Sequence, residues 1–248
     1  DVSFLLKSAG RSRGLPLLLR SLNWQCIDRT MNRTAVLFDM DGLMVDTEPL
    51  ARAAWQRVVA PYGATIEDAL YGQMLGRRTV ESTQLVLDAL RLPLAHEELM
   101  RRKTDEFLGS LADEVPVMPG LWTLLDRIEA AGLPWAVATS TPRPVAEIIL
   151  GKLGLTGRYH ALACGDEVAD GKPAPDIFLL AAARLNVAPE ACLALEDSVA
   201  GCMAAAAAGM RVVVVPTELT HGETFLCAHR RYPSLIEVAA DLEELLAA

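Results

Sequence analysis

The sequence predicts an α/β protein: a parallel sheet covered by helices on both faces, with an all-helical unit inserted after the first strand. Three observations predict it. From Pro119 onward, short apolar runs alternate with amphipathic stretches, an order that demands crossover connections and therefore parallel strands. A further apolar run, Ala35–Phe38, stands far upstream, and the next convincing strand ends only at Thr139, whereas a crossover unit takes about 30 residues or a little more. The residues between them repeat apolar side chains near helical spacing with no strand among them.

In chain order, Asn32–Met40 reads as the first strand. Glu48–Ala60, Ile66–Met74, Val80–Leu90 and His96–Leu111 read as four helices, broken at Pro61/Gly63, Gly76 and Pro93. Leu121–Ala131 is a helix ended by Gly132, Trp135–Thr139 a strand, Val145–Leu153 a helix closed by Gly154, and Ala161–Cys164 a strand. Pro175–Leu185 follows as a helix with proline in its first turn. Ala191–Leu195 is a strand, Val199–Ala208 an alanine-rich helix opened by Ser198, Val212–Val215 a strand, and Leu235–Leu246 helical. The core is therefore 31–46 and 116–248, and the inserted cap is 47–115. Residues 1–30 are basic and poor in acids, with a short apolar patch at Leu15–Leu19 that Pro16 interrupts. They are set apart from the fold, with upstream translation, a targeting peptide and a disordered tail as the alternatives.

Composition narrows the function. Half the residues are apolar (52%), which suits a well-buried globular protein. The net charge is −9; without the first thirty residues 18 basic and 30 acidic side chains remain, a charge of −12. A nucleic-acid partner, which needs a basic face, is not expected. The five cysteines (Cys26, Cys164, Cys192, Cys202, Cys227) are odd in number and form no CxxC pair, which points to reduced thiols in a cytoplasmic protein, not a disulfide frame or a zinc site. No apolar run reaches membrane-span length, so no membrane partner is expected. A monomer is expected, and the four histidines have no partner spacing and read as surface residues.

The chemistry gathers at Thr34–Pro49, TAVLFDMDGLMVDTEP. A buried strand ending in Asp39 and Asp41 needs a cation or hydrogen-bond donors, and strand alternation places both on one side. Gly42 permits a sharp turn just past them. Inserting a helical unit here places it over the carboxyl ends of the strands, where open α/β sheets bind ligands. Other strand ends and loops supply Thr139 and Ser140, Lys172 in GDEVADGKPAPD, and Glu196 with Asp197 in CLALEDS. Thr141 is placed to cap a helix begun by Pro142, whose free N–H groups suit a phosphoryl oxygen. Four carboxylates against one lysine leave an excess of negative charge, and an all-oxygen donor set favours Mg²⁺ completed by substrate phosphate. Gly42, Glu48, Arg77, Arg78 and Ser140 are candidates for substrate contact. For Arg77 and Arg78 the alternative is a solvated basic turn; for Glu48 it is a helix cap, and for Ser140 a turn.

DMDG with Asp46 after it, then Thr139, GKPAPD and LEDS, resembles the four motifs of the haloacid dehalogenase superfamily in order and spacing, over nearly all of Met31–Ala248. The branch it resembles has a helical cap after the first motif, the β-phosphoglucomutase-like phosphatases. Gly76-Arg77-Arg78 and VMPG at Val117–Gly120 look most like its pseudouridine-5′-phosphatase group. The resemblance implies a Rossmann-like core and Mg²⁺-dependent hydrolysis of a small phosphorylated metabolite, either a sugar phosphate or a nucleoside or pseudouridine 5′-phosphate. It implies Asp39 as the nucleophile that forms an aspartyl-phosphate and Asp41 as the acid/base. Thr139 would hold phosphoryl oxygens and Lys172 would offset charge. Mg²⁺ would be held by the Asp39 carboxylate, the Asp41 backbone carbonyl, Asp197 and, through water, Glu196. Asp46–Pro49 and Val115–Pro119 would be the linkers on which the cap moves.

Phosphosugar mutases of this fold carry a histidine on the first cap helix and an arginine in the cap loop. The register from Asp39 puts Ala51 at the first position and the second near Thr79, with Arg77 and Arg78 only adjacent. A dehalogenase would leave Asp41 and the Mg²⁺ carboxylates without a task. A phosphometabolite-binding protein without turnover is the alternative from another class.

Overall fold

A computed structural model describes residues 33–111 and 115–247. The segment Asp1–Thr30 and the expected strand start at Asn32 lie outside them. Among the described residues, six strands form one parallel sheet: β1 (Ala35–Phe38), β2 (Trp135–Thr139), β3 (Ala161–Cys164), β4 (Cys192–Glu196), β5 (Arg211–Val214) and β6 (Arg230–Arg231). Their order is β3-β2-β1-β4-β5-β6. β1 is central and pairs with both β2 and β4, Leu37 standing opposite Ala136 on one side and Ala194 on the other. The chain builds outward from β1 to β3, then crosses back to β4. That reversal beside β1 is where an open α/β sheet leaves a crevice at its carboxyl edge.

Alternation sends successive strand residues to opposite faces. Val36, Phe38, Trp135, Val137, Leu193 and Leu195 enter one apolar cluster, and the smaller Ala35, Ala136, Ala138, Ala161, Ala163 and Ala194 enter the other. The first cluster is closed by α5 (Leu121–Ala130), α6 (Arg143–Lys152), α9 (Leu235–Ala240) and α10 (Leu242–Ala247), and the second by α7 (Asp176–Leu185) and α8 (Val199–Ala207). Small side chains on the second face let α7 and α8, themselves lined by Ala181, Ala182, Ala204 and Ala205, pack close to the sheet.

Between β1 and α5 stand α1 (Glu48–Val59), α2 (Asp68–Met74), α3 (Thr79–Leu90) and α4 (His96–Ser110). They enclose their own cluster of Trp55, Val58, Val59, Ile66, Tyr71, Met74, Val86 and Leu99. Ala54 and Phe107 from the same helices reach the larger core cluster, so this layer is rooted in the sheet domain as well. The two crossings into it run side by side: Asp46 N–H donates to Pro116 O (2.9 Å) and Met118 N–H to Met44 O (3.0 Å).

The structure departs from the sequence expectation in three places. β1 is shorter than Asn32–Met40, because past Asp39, whose N–H still bonds Leu195 O (3.0 Å), the chain folds into a turn closed by Val45 N–H to Met40 O. Leu235–Leu246 is two helices, with Asp241 between them. β6 carries no apolar signal, since Arg230 and Arg231 pair through their backbone to Val213 and Val214. Among the described residues, no helix is long and apolar enough to cross a membrane.

Gly120 adopts φ +93°, and a Cβ there would lie 2.4 Å from Ile236 N in α9. Gly120→Ala is expected to destabilise the fold by about 1–3 kcal/mol, read as a lower urea midpoint with an unchanged denaturant slope.

Candidate active site

Four segments converge at the carboxyl edge of the sheet. Asp39 follows Phe38 and Glu196 ends β4; by strand parity both emerge on the face of Leu37 and Ala194. Lys172 arrives from the loop between β3 and α7, on that same face. Its Nζ donates to Asp39 Oδ1 (2.5 Å) and Glu196 Oε1 (2.6 Å), and it sits 5.1 Å from the Phe178 ring centroid. All three groups are buried. Burial pulls the Lys172 ammonium down, but the two carboxylates outweigh that and hold its pKa above the ordinary value.

Glu196 is fully engaged by the protein. Its Oε2 accepts from Asp197 N–H (3.0 Å), Ser198 N–H (3.1 Å) and Ser198 Oγ (3.0 Å), while Ser198 Oγ in turn caps α8 by accepting from Gly201 N–H. This answers why a carboxylate can stand inside the sheet edge: four donors surround it. It also sets Glu196 behind Asp39 and Asp197, which line the cavity while Glu196 does not.

Asp197 is different. Carboxylate oxygens of Asp39, Glu196 and Asp197 lie within 4.8 Å of one another, yet among the described residues no N–H or O–H donates to the Asp197 side chain. Burial, reinforced by Glu196 and Asp39, raises its pKa well above the usual carboxylate range. Burial also lifts Asp39 from 3.8 to about 8 against the pull of Lys172. Gly42, at φ +86°, makes room for this group: a Cβ there would lie 2.3 Å from Asp197 Oδ2. A buried, donor-free carboxylate beside another, with one lysine among three acids, fits a hard divalent cation held by oxygen.

Asp41 lies apart from this trio. The strand ends at Phe38, so alternation does not carry through to it; it reaches the cavity by way of the following turn. Its oxygens accept from three hydroxyls: Thr47 to Oδ1 (2.6 Å), Thr141 (2.7 Å) and Thr139 (3.3 Å) to Oδ2. Thr139 shares the β2 face of Val137, opposite to that of Asp39, and its hydroxyl is placed on Asp41 and Thr141 N–H (3.0 Å). Thr141 does not cap α6: the cap position is Pro142, with no side-chain bond. Nor does that helix end offer free donors, because Pro142 and Pro144 have no N–H and Arg143 N–H donates to Asp166 Oδ1 (2.9 Å). Nearby, Ser140 Oγ donates to Gly76 O (2.9 Å), tying the core to the cap loop.

Asp39, Asp41, Asp197, Ser140 and Thr141 line a cavity whose other wall is the helical layer. Glu48, Arg77, Trp55, Tyr71, Lys103 and Phe107 face it from there. Glu48 does not cap its helix; Tyr71 Oη donates to its carboxylate (2.6 Å), and burial raises its pKa. Arg77 is exposed at the rim. Arg78 does not line the cavity; its NH1 donates to the Val168 and Ala169 carbonyls of the core (both 3.1 Å).

Sequence reasoning missed Thr47 and Lys103, and it gave Thr141 the task of a helix cap instead of a contact to Asp41. Lys103 hides in the run Arg101-Arg102-Lys103, whose two arginines are exposed and pair with Glu98. The signal was its helical phase: Leu99, Lys103 and Phe107 recur every four residues along the buried stripe. Its ammonium lies 4.6 Å from the Phe107 ring and 5.7 Å from the Trp55 ring, and burial lowers its pKa against the pull of Asp41 and Glu48.

The raised pKa of Asp39 has a defined sign in stability. Between about pH 4 and pH 8 the folded protein keeps a proton that the unfolded chain has released. The associated stability is complete below that window and is lost as pH rises through it. In chelator, the melting temperature of the wild type relative to Asp39→Asn is expected to fall across the window; a constant difference would contradict the assignment.

The comparisons with known proteins agree with this geometry. The family model described as haloacid dehalogenase-like hydrolase matches residues 34–209. The phosphorylated carbohydrates phosphatase of Thermotoga maritima is 35% identical over 193 residues, 77% of this chain and 89% of that protein. The fructose-1-phosphate phosphatase YqaB of Escherichia coli is 36% identical over 182 residues, 73% and 95% of the two chains. Among solved structures, a CbbY variant from Rhodobacter sphaeroides in complex with xylulose-1,5-bisphosphate superposes with a TM-score of 0.76 at 34% identity, covering 83% of this chain and 96% of that one. With its sheet order, its motif positions and these relatives in agreement, the chain belongs to the haloacid dehalogenase-like hydrolases, an enzyme family with phosphatases among its relatives here.

Proposed function

We propose that this enzyme hydrolyses a small phosphorylated metabolite, a sugar phosphate or a nucleoside 5′-phosphate, through an aspartyl-phosphate on Asp39. The observation that carries the reading is the pairing of two unlike carboxylates at one cavity. Asp39 is held through Oδ1 by Lys172, which leaves Oδ2 for phosphorus, while Asp41 is held by hydroxyls alone.

In the first half-reaction an Asp39 oxygen bonds to phosphorus as the ester P–O bond breaks, and Asp41 gives its proton to the leaving alkoxide. In the second, Asp41 takes a proton from water as that water attacks phosphorus, and the P–O bond to Asp39 breaks to release inorganic phosphate. Hydroxyls can turn from donor to acceptor, so Thr47, Thr139 and Thr141 can serve Asp41 in both protonation states. Lys172 fixes the Asp39 carboxylate and meets negative charge at the transferring group. Asp39, Asp197 and the Asp41 carbonyl, with Glu196 behind them, are the residues that would hold Mg²⁺, which supplies neutralisation of phosphoryl charge.

The α1–α4 layer is read as a cap domain, 47–115, that closes over this site on the linkers Asp46–Pro49 and Val115–Pro119, next to the backbone pairing of Asp46 with Pro116 and Met44 with Met118. Trp55, Tyr71 and Phe107 would exclude water there, and Lys103 with Glu48 would hold the substrate's polar body. Hydrolase is favoured over mutase by composition at the cavity wall. Ala51, at the position where a mutase has histidine, and Thr79, near the position of the mutase arginine, both line it and present a methyl and a hydroxyl instead.

Phosphate release from a panel of sugar phosphates and nucleoside 5′-phosphates, pseudouridine 5′-phosphate included, tests the reading. Asp39→Asn is expected to lower kcat by roughly 10³-fold or more, and chelation to abolish turnover until Mg²⁺ is restored. Turnover that resists chelation, or ligand binding without phosphate release, would overturn it. Lys103→Met is expected to raise KM for the preferred substrate about tenfold, on the order of 1.4 kcal/mol, with a smaller effect on para-nitrophenyl phosphate.

A further inference from the structure

Arg78 is the candidate that the catalytic reading leaves without a task. Its backbone is the N-cap of α3, and its carbonyl accepts from Glu81 N–H and Ser82 N–H (3.0 Å each). Its side chain leaves the helix and crosses to the core. NH1 reaches the carbonyls of Val168 and Ala169, while Nε donates to Glu81 Oε1 (2.7 Å), which keeps the guanidinium plane in place. The two carbonyls belong to the loop that delivers Lys172, three residues beyond Ala169.

The core is shaped for this side chain. A Cβ on Gly171 would lie 2.6 Å from Arg78 Nε and 3.0 Å from its Cδ, with Glu81 Oε1 at 2.9 Å. A Cβ on Gly165 would lie 3.1 Å from Arg78 Cγ. On the cap side, Thr79 and Ser82 in the turn that follows Arg78 line the cavity. One guanidinium therefore joins the cap turn that faces the substrate to the loop that carries the lysine on Asp39. The neighbouring bond from Ser140 Oγ to Gly76 O fastens the same cap loop to β2's end.

We propose that Arg78 is a positioning residue, a latch that couples the docked cap to the Lys172 loop and so sets the closed geometry of the site. It acts through α3 and Lys172 and touches no reacting atom. The proposal rests on the phosphatase reading for its kinetic consequence but not for its structural one, and the test separates the two.

In wild type, Arg78→Ala, Gly171→Ala and the double variant, amide hydrogen exchange is measured for peptides covering 74–78 and 165–174, together with kcat and KM for para-nitrophenyl phosphate. Arg78→Ala is expected to speed exchange in both peptides and to lower kcat about tenfold with a smaller change in KM. Gly171→Ala, whose Cβ would meet the Arg78 side chain and its partner Glu81, is expected to reproduce both effects. The double variant should be no worse than either single one, since both break the same contact. Arg78→Lys, which keeps a donor for the carbonyls but not the fork to Glu81, should recover part of kcat. Unchanged exchange in Arg78→Ala, additive losses in the double variant, or losses that merely follow a fall in melting temperature would each overturn the latch. Faster exchange in a protein that releases no phosphate would leave the latch standing and remove the phosphatase reading instead.

Discussion

The contact on which the site depends is Lys172 between Asp39 and Glu196. Taking an ion out of water costs several kcal/mol even in a relaxed protein, and attraction offsets this only where the remaining lone pairs are also met. Glu196 satisfies that condition through two backbone N–H groups and Ser198 Oγ, so β4's end and α8's start are fixed to one another. Asp39 satisfies it only halfway and Asp197 not at all. The unmet part of the acid cluster is the part that faces the cavity. Structural stability and chemical readiness thus divide along one line: satisfied oxygens at the back, unsatisfied ones at the front.

The two catalytic candidates, both on the cavity wall, differ because they reach it from different sides of the sheet edge. Asp39 shares the sheet face of the alanine-rich helices, where Lys172 enters. Asp41 has already left the strand and meets Thr139 from the opposite face, with Thr47 and Thr141 to either side. An ammonium beside one carboxylate and neutral hydroxyls on the other set the two acids in unlike environments, one facing a fixed positive charge and one facing groups that can either donate or accept. The same turn that separates them also starts the crossing into the helical layer, so Asp41 and that layer share one stretch of backbone.

The core strands were legible because each is a compact apolar run, and the motif residues were legible because strand ends in a parallel sheet point to one edge. Legibility failed where side-chain direction decides. Arg77 and Arg78 are neighbours in the sequence, yet one stands at the cavity rim and the other is turned to the core by its place as an N-cap. Lys103 shares a basic run with two solvated arginines, and only its helical phase turns it inward. Thr141 looked like a helix cap, whereas the cap position is Pro142 and the Thr141 hydroxyl, like that of Thr139, lies on Asp41.

The sequence by itself determined the order of the five apolar strands and the helices between them, the insertion after β1, and the meeting of Asp39, Lys172, Glu196 and Asp197. These follow from period, spacing and chain topology, which are local or nearly so. Only the tertiary structure decided which oxygen each donor serves, that Asp197 is left without one, and that Arg78 reaches across to the Lys172 loop. Such facts depend on rotamers and on gaps such as those at Gly42 and Gly171, where a missing Cβ on one segment makes room for a side chain from another. No periodicity within either segment encodes that match.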